Sequence, residues 1–149
     1  MEEKNKIIPF PQANDFDKII KIIDIEKEED LKNKDYMLEY LDLGTERQIS
    51  YYISACEFLG VIYKHKFTEF GIEIRNACLE TRVLKLSQKI ISLPVFGEIF
   101  LMKYLYNVDV NNSTISQMIN DVYDISNIEV CNRRASTVKK WLAWIESNK

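Results

Sequence analysis

The sequence predicts a mainly α-helical protein with one small β-ribbon, built as two helix-turn-helix units in tandem and joined by a long helix. Three observations predict it. Apolar residues recur at helical spacing along most of the 149 positions, and only four Gly and three Pro interrupt them. Ile49, Tyr52, Ile53 and Cys56 in one half and Val138, Trp141, Leu142 and Ile145 in the other repeat the same i, i+3, i+4, i+7 stripe. After the first stripe, Val61-Ile62-Tyr63 and Phe67-Thr68-Glu69-Phe70 can pair around the basic tip Lys64-His65-Lys66. The two units divide at residues 1–76 and 77–149.

Residues 1–13 form a leading arm. Pro9 and Pro11 hold Ile8 and Phe10 toward extended backbone, and Ile7, Ile8 and Phe10 pack on the first unit. Asn14 or Asp15 caps a helix from Phe16 to Ile23, with Phe16, Ile19, Ile20 and Ile23 on its apolar face. Asp24 to Lys32 is a charged connector. A second helix runs from Lys34 to Leu41 on Tyr36, Met37 and Tyr40, and Leu43-Gly44 turns the chain. The third helix spans Thr45 to about Leu59, and Gly60 ends it in a position that tolerates left-handed backbone. Helix, helix, glycine turn, helix and ribbon is the order of a winged helix-turn-helix; the alternative is a small all-α unit in which the same helices merely pack.

From Phe70 one helix runs to about Ser92, with Ile72, Ile74, Ala77, Leu79, Val83, Leu86, Ile90 and Ile91 apolar and no Gly or Pro after Gly71. Leu93-Pro94 breaks it, and Pro94 suits the start of another helix, made strongly apolar by Phe96, Ile99, Phe100, Met102, Leu105 and Tyr106. Asn111-Asn112-Ser113 is a loop and cap. Ser113 to Tyr123 follows with Ile115, Met118, Ile119 and Val122 inward, and Asp124 to Val130 connects. Asn132 caps the last helix, Arg133 to about Ser147, which has no ribbon after it.

The composition, 46% hydrophobic with a formal net charge of −3, suits a globular chain and weighs against a purely electrostatic binder of nucleic acid. The charge is uneven: residues 1–76 carry 11 Lys and Arg against 16 Asp and Glu, whereas 77–149 carry 9 against 7. Cys56, Cys78 and Cys131 are too scattered for a zinc set and read as small buried side chains in a reducing compartment. A single histidine leaves little for His-based chemistry. The N-terminus is too acidic for a signal peptide and no run reaches the ~20 apolar residues of a membrane span, so the chain is expected to be soluble and cytoplasmic. No phosphate-binding glycine loop, dinucleotide fingerprint, zinc spacing or nucleophile with a base is present, so no catalytic residue and no cofactor is assigned. The acids Glu26, Glu28, Glu29 and Asp30 read as a solvated connector rather than a magnesium site.

Three groups remain that fit a partner. The outer face of the third helix, Thr45, Arg47, Gln48, Ser50, Tyr51 and Ser54, carries types that pair with base edges: Arg bidentately with guanine, Gln with adenine. Asn132, Arg133, Arg134, Ser136, Thr137, Lys139 and Lys140 form the densest basic stretch, at a predicted helix N-terminus whose N–H groups suit phosphate. Lys64 and Lys66 on the ribbon can reach phosphate or simply keep the ribbon edge from pairing. Trp141 belongs to the apolar stripe and reads as core, with Trp144 at its edge.

Ile8-Pro9-Phe10-Pro11-Gln12-Ala13-Asn14-Asp15-Phe16, Arg47-Gln48-Ile49-Ser50-Tyr51-Tyr52 and the run from Arg133 to Ile145, RRASTVKKWLAWI, together resemble the tandem winged-helix DNA-recognition regions of type II restriction endonucleases. The resemblance spans about Ile7 to Ile145, with the last motif the most specific part. It implies sequence-specific binding of duplex DNA, with the two recognition helices reading adjacent parts of one asymmetric site. It further implies a nuclease domain or subunit elsewhere, to which any Mg2+ would belong. A free-standing transcriptional regulator of the same build and a winged-helix protein-interaction module are the alternatives.

Overall fold

The computed structural model describes residues 9–125 and 127–149. Ile7 and Ile8, expected to pack on the first unit, lie outside them. The chain is mainly α-helical, with eight α-helices among the described residues and one two-stranded antiparallel sheet.

Side-chain caps set the early helices. The Asp15 carboxylate accepts from the Asp17 N–H at 3.1 Å and starts α1 (Phe16–Ile23). Asn33 starts α2 (Lys34–Tyr40) and Thr45 starts α3 (Glu46–Phe58) in the same way. The charged stretch between α1 and α2 is not an open connector, because a 3-10 turn at Glu28–Lys32 buries Leu31.

After Gly60, whose φ is +77°, β1 (Ile62–Tyr63) pairs with β2 (Lys66–Phe67), Ile62 opposite Phe67 and Tyr63 opposite Lys66. The tip therefore narrows to Lys64 and His65, at φ 50° and 61°. That left-handed pair is the geometry a two-residue hairpin turn demands and that Asn-Gly usually fills. The return strand stops at Phe67 rather than Phe70, because Thr68 turns the chain into α4 (Glu69–Asn76). Its hydroxyl oxygen accepts from the Gly71 N–H at 3.0 Å, and its hydroxyl donates to the Gly60 carbonyl at 2.6 Å. A Cβ at Gly71 would meet the Val61 carbonyl oxygen at 2.1 Å, so α4 presses on the hairpin only because this residue is glycine.

The single long helix expected from Phe70 to Ser92 is two helices. Ala77 and Cys78 are extended, and α5 (Leu79–Ser92) starts afresh. Arg82 supplies the reason. Its Nε donates to the Ile74 carbonyl at 3.1 Å and its Nη2 to that of Arg75 at 3.2 Å, satisfying the end of α4, while Nη1 bonds Asp24 at 3.0 Å. Cys78 is exposed at this joint, against expectation, whereas Cys56 and Cys131 are buried.

α6 (Phe96–Tyr104) follows Val95, a fully buried residue at φ +75°. It is less buried than its composition predicts: Phe96 and Ile99 face the core, but Met102, Leu105 and Tyr106 lie in or next to it exposed. In α7 (Asn112–Tyr123) Ile115 and Ile119 are buried as expected, but Val122 is exposed and Ser116 is inside. The last helix, α8 (Ile128–Ser147), begins more than a turn earlier than Arg133 because Asn127, not Asn132, caps it, accepting from the Glu129 and Val130 N–H groups.

The buried residues form one connected cluster drawn from both halves of the chain. The segment just before α1 crosses it. Phe10 meets Phe58, Phe96 and Tyr123 at ring-centroid distances of 5.6, 5.4 and 4.8 Å. The Ala13 carbonyl accepts from Trp141 Nε1 at 2.8 Å, the Asp15 N–H donates to the Tyr52 hydroxyl at 3.1 Å, and Phe16 packs on Trp141 and Trp144. No helix among the described residues is long and apolar enough to cross a membrane.

Candidate nucleic-acid interface

Burying Ile49, Tyr52, Ile53 and Cys56 turns the opposite strip of α3 outward. Thr45, Arg47, Gln48 and Ser50 are exposed and Tyr51 and Ser54 half-buried, as the periodicity requires. Arg47 stacks on Tyr51, guanidinium to ring centroid 5.4 Å, which holds a long side chain in one place on the surface. Gln48 is partly committed. Its Oε1 accepts from the Gly44 N–H at 2.9 Å, leaving one lone pair and the amide N–H groups for another partner. The Thr45 hydroxyl oxygen is likewise occupied as the cap.

On α8, Arg133, Lys139 and Lys140 are exposed and Ser136 is half-buried, with Arg133, Ser136 and Lys140 along one strip at i, i+3 and i+7. Two expectations fail here. The stretch lies inside the helix rather than at its N-terminus, so no unpaired backbone N–H groups accompany Asn132 and Arg133; Asn132 Oδ1 instead lies 2.6 Å from the Ser116 hydroxyl. Thr137 points inward, fully buried, and donates to Asn14 Oδ1 at 2.7 Å, so it cannot touch a partner.

Arg134 differs from its basic neighbours on α8. It is half-buried, its Nε has no hydrogen-bond partner among the described residues, and burial pulls its pKa below the ordinary arginine value. Cys131 and then Tyr51 act on it in the opposite sense, and Arg133 adds to the lowering.

The hairpin sits at the other end of α3, a distance of ~15 Å from Arg47 along a helix rising 1.5 Å per residue. Lys64 and Lys66 are exposed. The acidic 3-10 turn lies against them: Glu28 accepts from the Phe67 N–H at 2.8 Å, and Glu28 and Glu29 share a hollow with His65 and Lys66. Lys140 too has acids nearby, sharing a hollow with Asp15 and Asp17. These carboxylates weaken the field each lysine offers to phosphate.

A groove of about 480 Å³ runs along α3 and was not foreseen. Leu31, Ile49 and Ile53 give it apolar walls, Pro9 closes one side, and Lys32, Lys34, Glu46 and Glu57 mark its rim. Its one signal in the sequence is Leu31, the single large apolar residue between Glu26 and Lys34. No group of three or more His, Cys, Asp or Glu among the described residues is placed to hold a metal ion.

A family described as a domain of unknown function, DUF7226, matches residues 18–149. The chain belongs to the DUF7226 family. No curated protein and no solved structure matches it. The DUF7226 match takes in α3, the hairpin and α8, and therefore the whole run from Arg47 to Lys140; it begins inside α1, after the segment that crosses the core.

Proposed function

We propose that this DUF7226 chain binds double-stranded DNA in the cytoplasm through two winged-helix-like units, as the recognition part or subunit of a restriction-type endonuclease whose nuclease lies elsewhere. The observation that carries this reading is the pair of outward strips: Arg133, Ser136 and Lys140 at i, i+3 and i+7 on α8, and the strip of α3 on which Arg47 stacks on Tyr51. The order α1, α2, α3 and hairpin supports it, since a helix after a tight turn and before a ribbon is positioned to enter a major groove. Lys64, Lys66, Lys139 and Lys140 fix register on phosphates. Arg47, Gln48, Tyr51, Arg133 and Ser136 address base edges. Each protomer then reads one asymmetric motif.

The test is selection from random-sequence duplexes at two salt concentrations, followed by sequencing. Enrichment of a motif, with affinity falling steeply as salt rises, is the expected result. Absence of enrichment together with weak binding at both salts overturns the reading.

A second reading has its own observation. The apolar groove along α3, beside the same strip, suits a protein partner and favours an interaction module. That module would leave random duplexes unselected, and Glu57→Lys on the groove rim would weaken its complex while Arg47→Ala would not.

A further inference from the structure

A helix that meets base edges selects among them with the donors and acceptors left over from its own hydrogen bonds. At the start of α3 the acceptors are largely spent. The Thr45 hydroxyl oxygen takes the Gln48 N–H at 3.3 Å, and Gln48 Oε1 takes the Gly44 N–H at 2.9 Å. A backbone N–H can only donate, so it fixes which end of the Gln48 amide faces the turn. The pairing is a capping box drawn one residue back, with Thr45 the N-cap and Gln48 the third residue of the helix. Lysines stand by the two carboxylates that flank the turn: Lys34 Nζ lies 3.4 Å from Glu46, and Lys18 donates to the Asp42 carbonyl at 3.1 Å. Glu57 is roughly 14 Å farther along the helix than Gln48, beyond the end that leads into a groove.

What this end of α3 turns outward is rich in donors. Arg47 carries donors alone and is steadied over the Tyr51 ring. Gln48 is exposed and keeps both amide N–H groups. The hydroxyls of Ser50 and Tyr51 act in either sense. In a major groove guanine alone sets two acceptors side by side, N7 and O6. Adenine sets its N6 donor beside N7, cytosine offers a donor, and thymine gives one acceptor next to a methyl group.

We infer that Gln48, beside Arg47, makes α3 a reader of guanine: its amide N–H groups donate to the guanine acceptors, and it does not pair with adenine as its residue type alone suggests. The inference rests on the proposed binding of duplex DNA and names the base that the α3 strip takes there. Pairing with adenine needs the Gln oxygen to accept from N6 while the nitrogen donates to N7. With the oxygen drawn back to Gly44, the nitrogen leads. Gln48 is thus a specificity-determining residue whose own cap sets which base it selects.

Gln48→Glu tests it, because a carboxylate still accepts from the Gly44 N–H and suits the third position of a helix, yet has no donor to offer. Random-sequence duplexes are selected in parallel with the wild-type chain, Gln48→Glu and Gln48→Ala. The wild-type motif is expected to hold guanine at two positions. Gln48→Glu is expected to exchange one of them for cytosine, whose N4 amine donates to a carboxylate, at an unchanged melting temperature. Placing a guanine analogue that lacks N7 at that position is expected to weaken wild-type binding about tenfold and to leave Gln48→Ala unaffected. Adenine in the wild-type motif at the position that Gln48→Glu alters overturns the inference. So does a Gln48→Glu motif identical to that of wild type, or an equal loss with the analogue in Gln48→Ala. Each of those results leaves DNA binding itself standing, whereas a wild-type chain that selects no motif overturns the DNA reading and the inference together.

Discussion

Truncating Phe10 to alanine probes the core where the two halves meet. The ring is 3% exposed and touches α3 through Phe58, α6 through Phe96 and α7 through Tyr123. Removing a buried Phe side chain costs about 3–5 kcal/mol, the spread depending on how far the site collapses. Collapse is difficult here, since the cavity would be walled by three rings from three helices. Each ring pair also contributes about 0.5–1.5 kcal/mol beyond area burial, which places the loss toward the upper end. At about 2–4 °C per kcal/mol for a chain of this length, the midpoint should fall by roughly 10–15 °C. Thermal melts followed by far-ultraviolet circular dichroism report all helices, and tryptophan fluorescence reports Trp141 and Trp144 in α8. Both signals should shift together in one transition. A loss below about 1 kcal/mol, the centre of the distribution for point substitutions in general, would refute the reasoning. So would a fluorescence midpoint that stays at the wild-type value while part of the helical signal melts early.

On the proposed DNA reading, Arg47→Ala should cost about 1–3 kcal/mol and relax preference at one position of the selected motif; equal weakening on every duplex would remove its base-reading role. Lys140→Ala should weaken all duplexes alike and reduce the slope of log affinity against log salt by about one, and an unchanged slope would count against a phosphate contact. Arg82→Ala should lower stability by roughly 1–3 kcal/mol in a urea melt, since it leaves helix-end carbonyls and Asp24 without their donor; a neutral result would mean that water caps α4 equally well. Glu146 has its carboxyl pKa held below the ordinary value, chiefly by the Tyr104 hydroxyl with Lys103 adding to it. A depressed carboxylate stabilises the fold above its unfolded pKa and loses that contribution as pH falls through the folded value. The melting-temperature gap between wild type and Tyr104→Phe should therefore close between pH 6 and pH 3, and a constant gap would contradict the linkage.

The local grammar of the helices was legible and its long-range punctuation was not. Asp15 and Thr45 each stand just before an apolar period, so their caps can be read directly. The basic run after Asn132 drew the start of α8 too late; Cys131, whose burial continues the α8 stripe two turns upstream of Val138, was the overlooked sign. The break at Ala77 and Cys78 has no Gly or Pro to announce it. It comes from an arginine that reaches back across the joint and also holds Asp24, 58 positions away. Thr137 looked available because its neighbours on α8 are polar, but its partner Asn14 lies 123 positions earlier. The strip on α3 was readable because one helix determines it. Its placement relative to α8 was not, since no periodicity specifies how two helices are set in space.

The segment crossing the core has a geometric consequence for any partner. Phe10 is gripped by α3's last turn, α6 and α7, and Ala13 and Asn14 are tied to α8, so the offset between the outward strips of α3 and α8 is set by a handful of side chains rather than by the extended joint at Ala77 and Cys78. The protein thereby carries a ruler of one length. On the proposed DNA reading, a duplex contacted by both strips must present its contacts at that interval and at the matching rotation about its axis. On that reading, inserting a single base pair between them would move the second set by about 3.4 Å along the helix and turn it out of phase, so simultaneous contact by both strips should be lost.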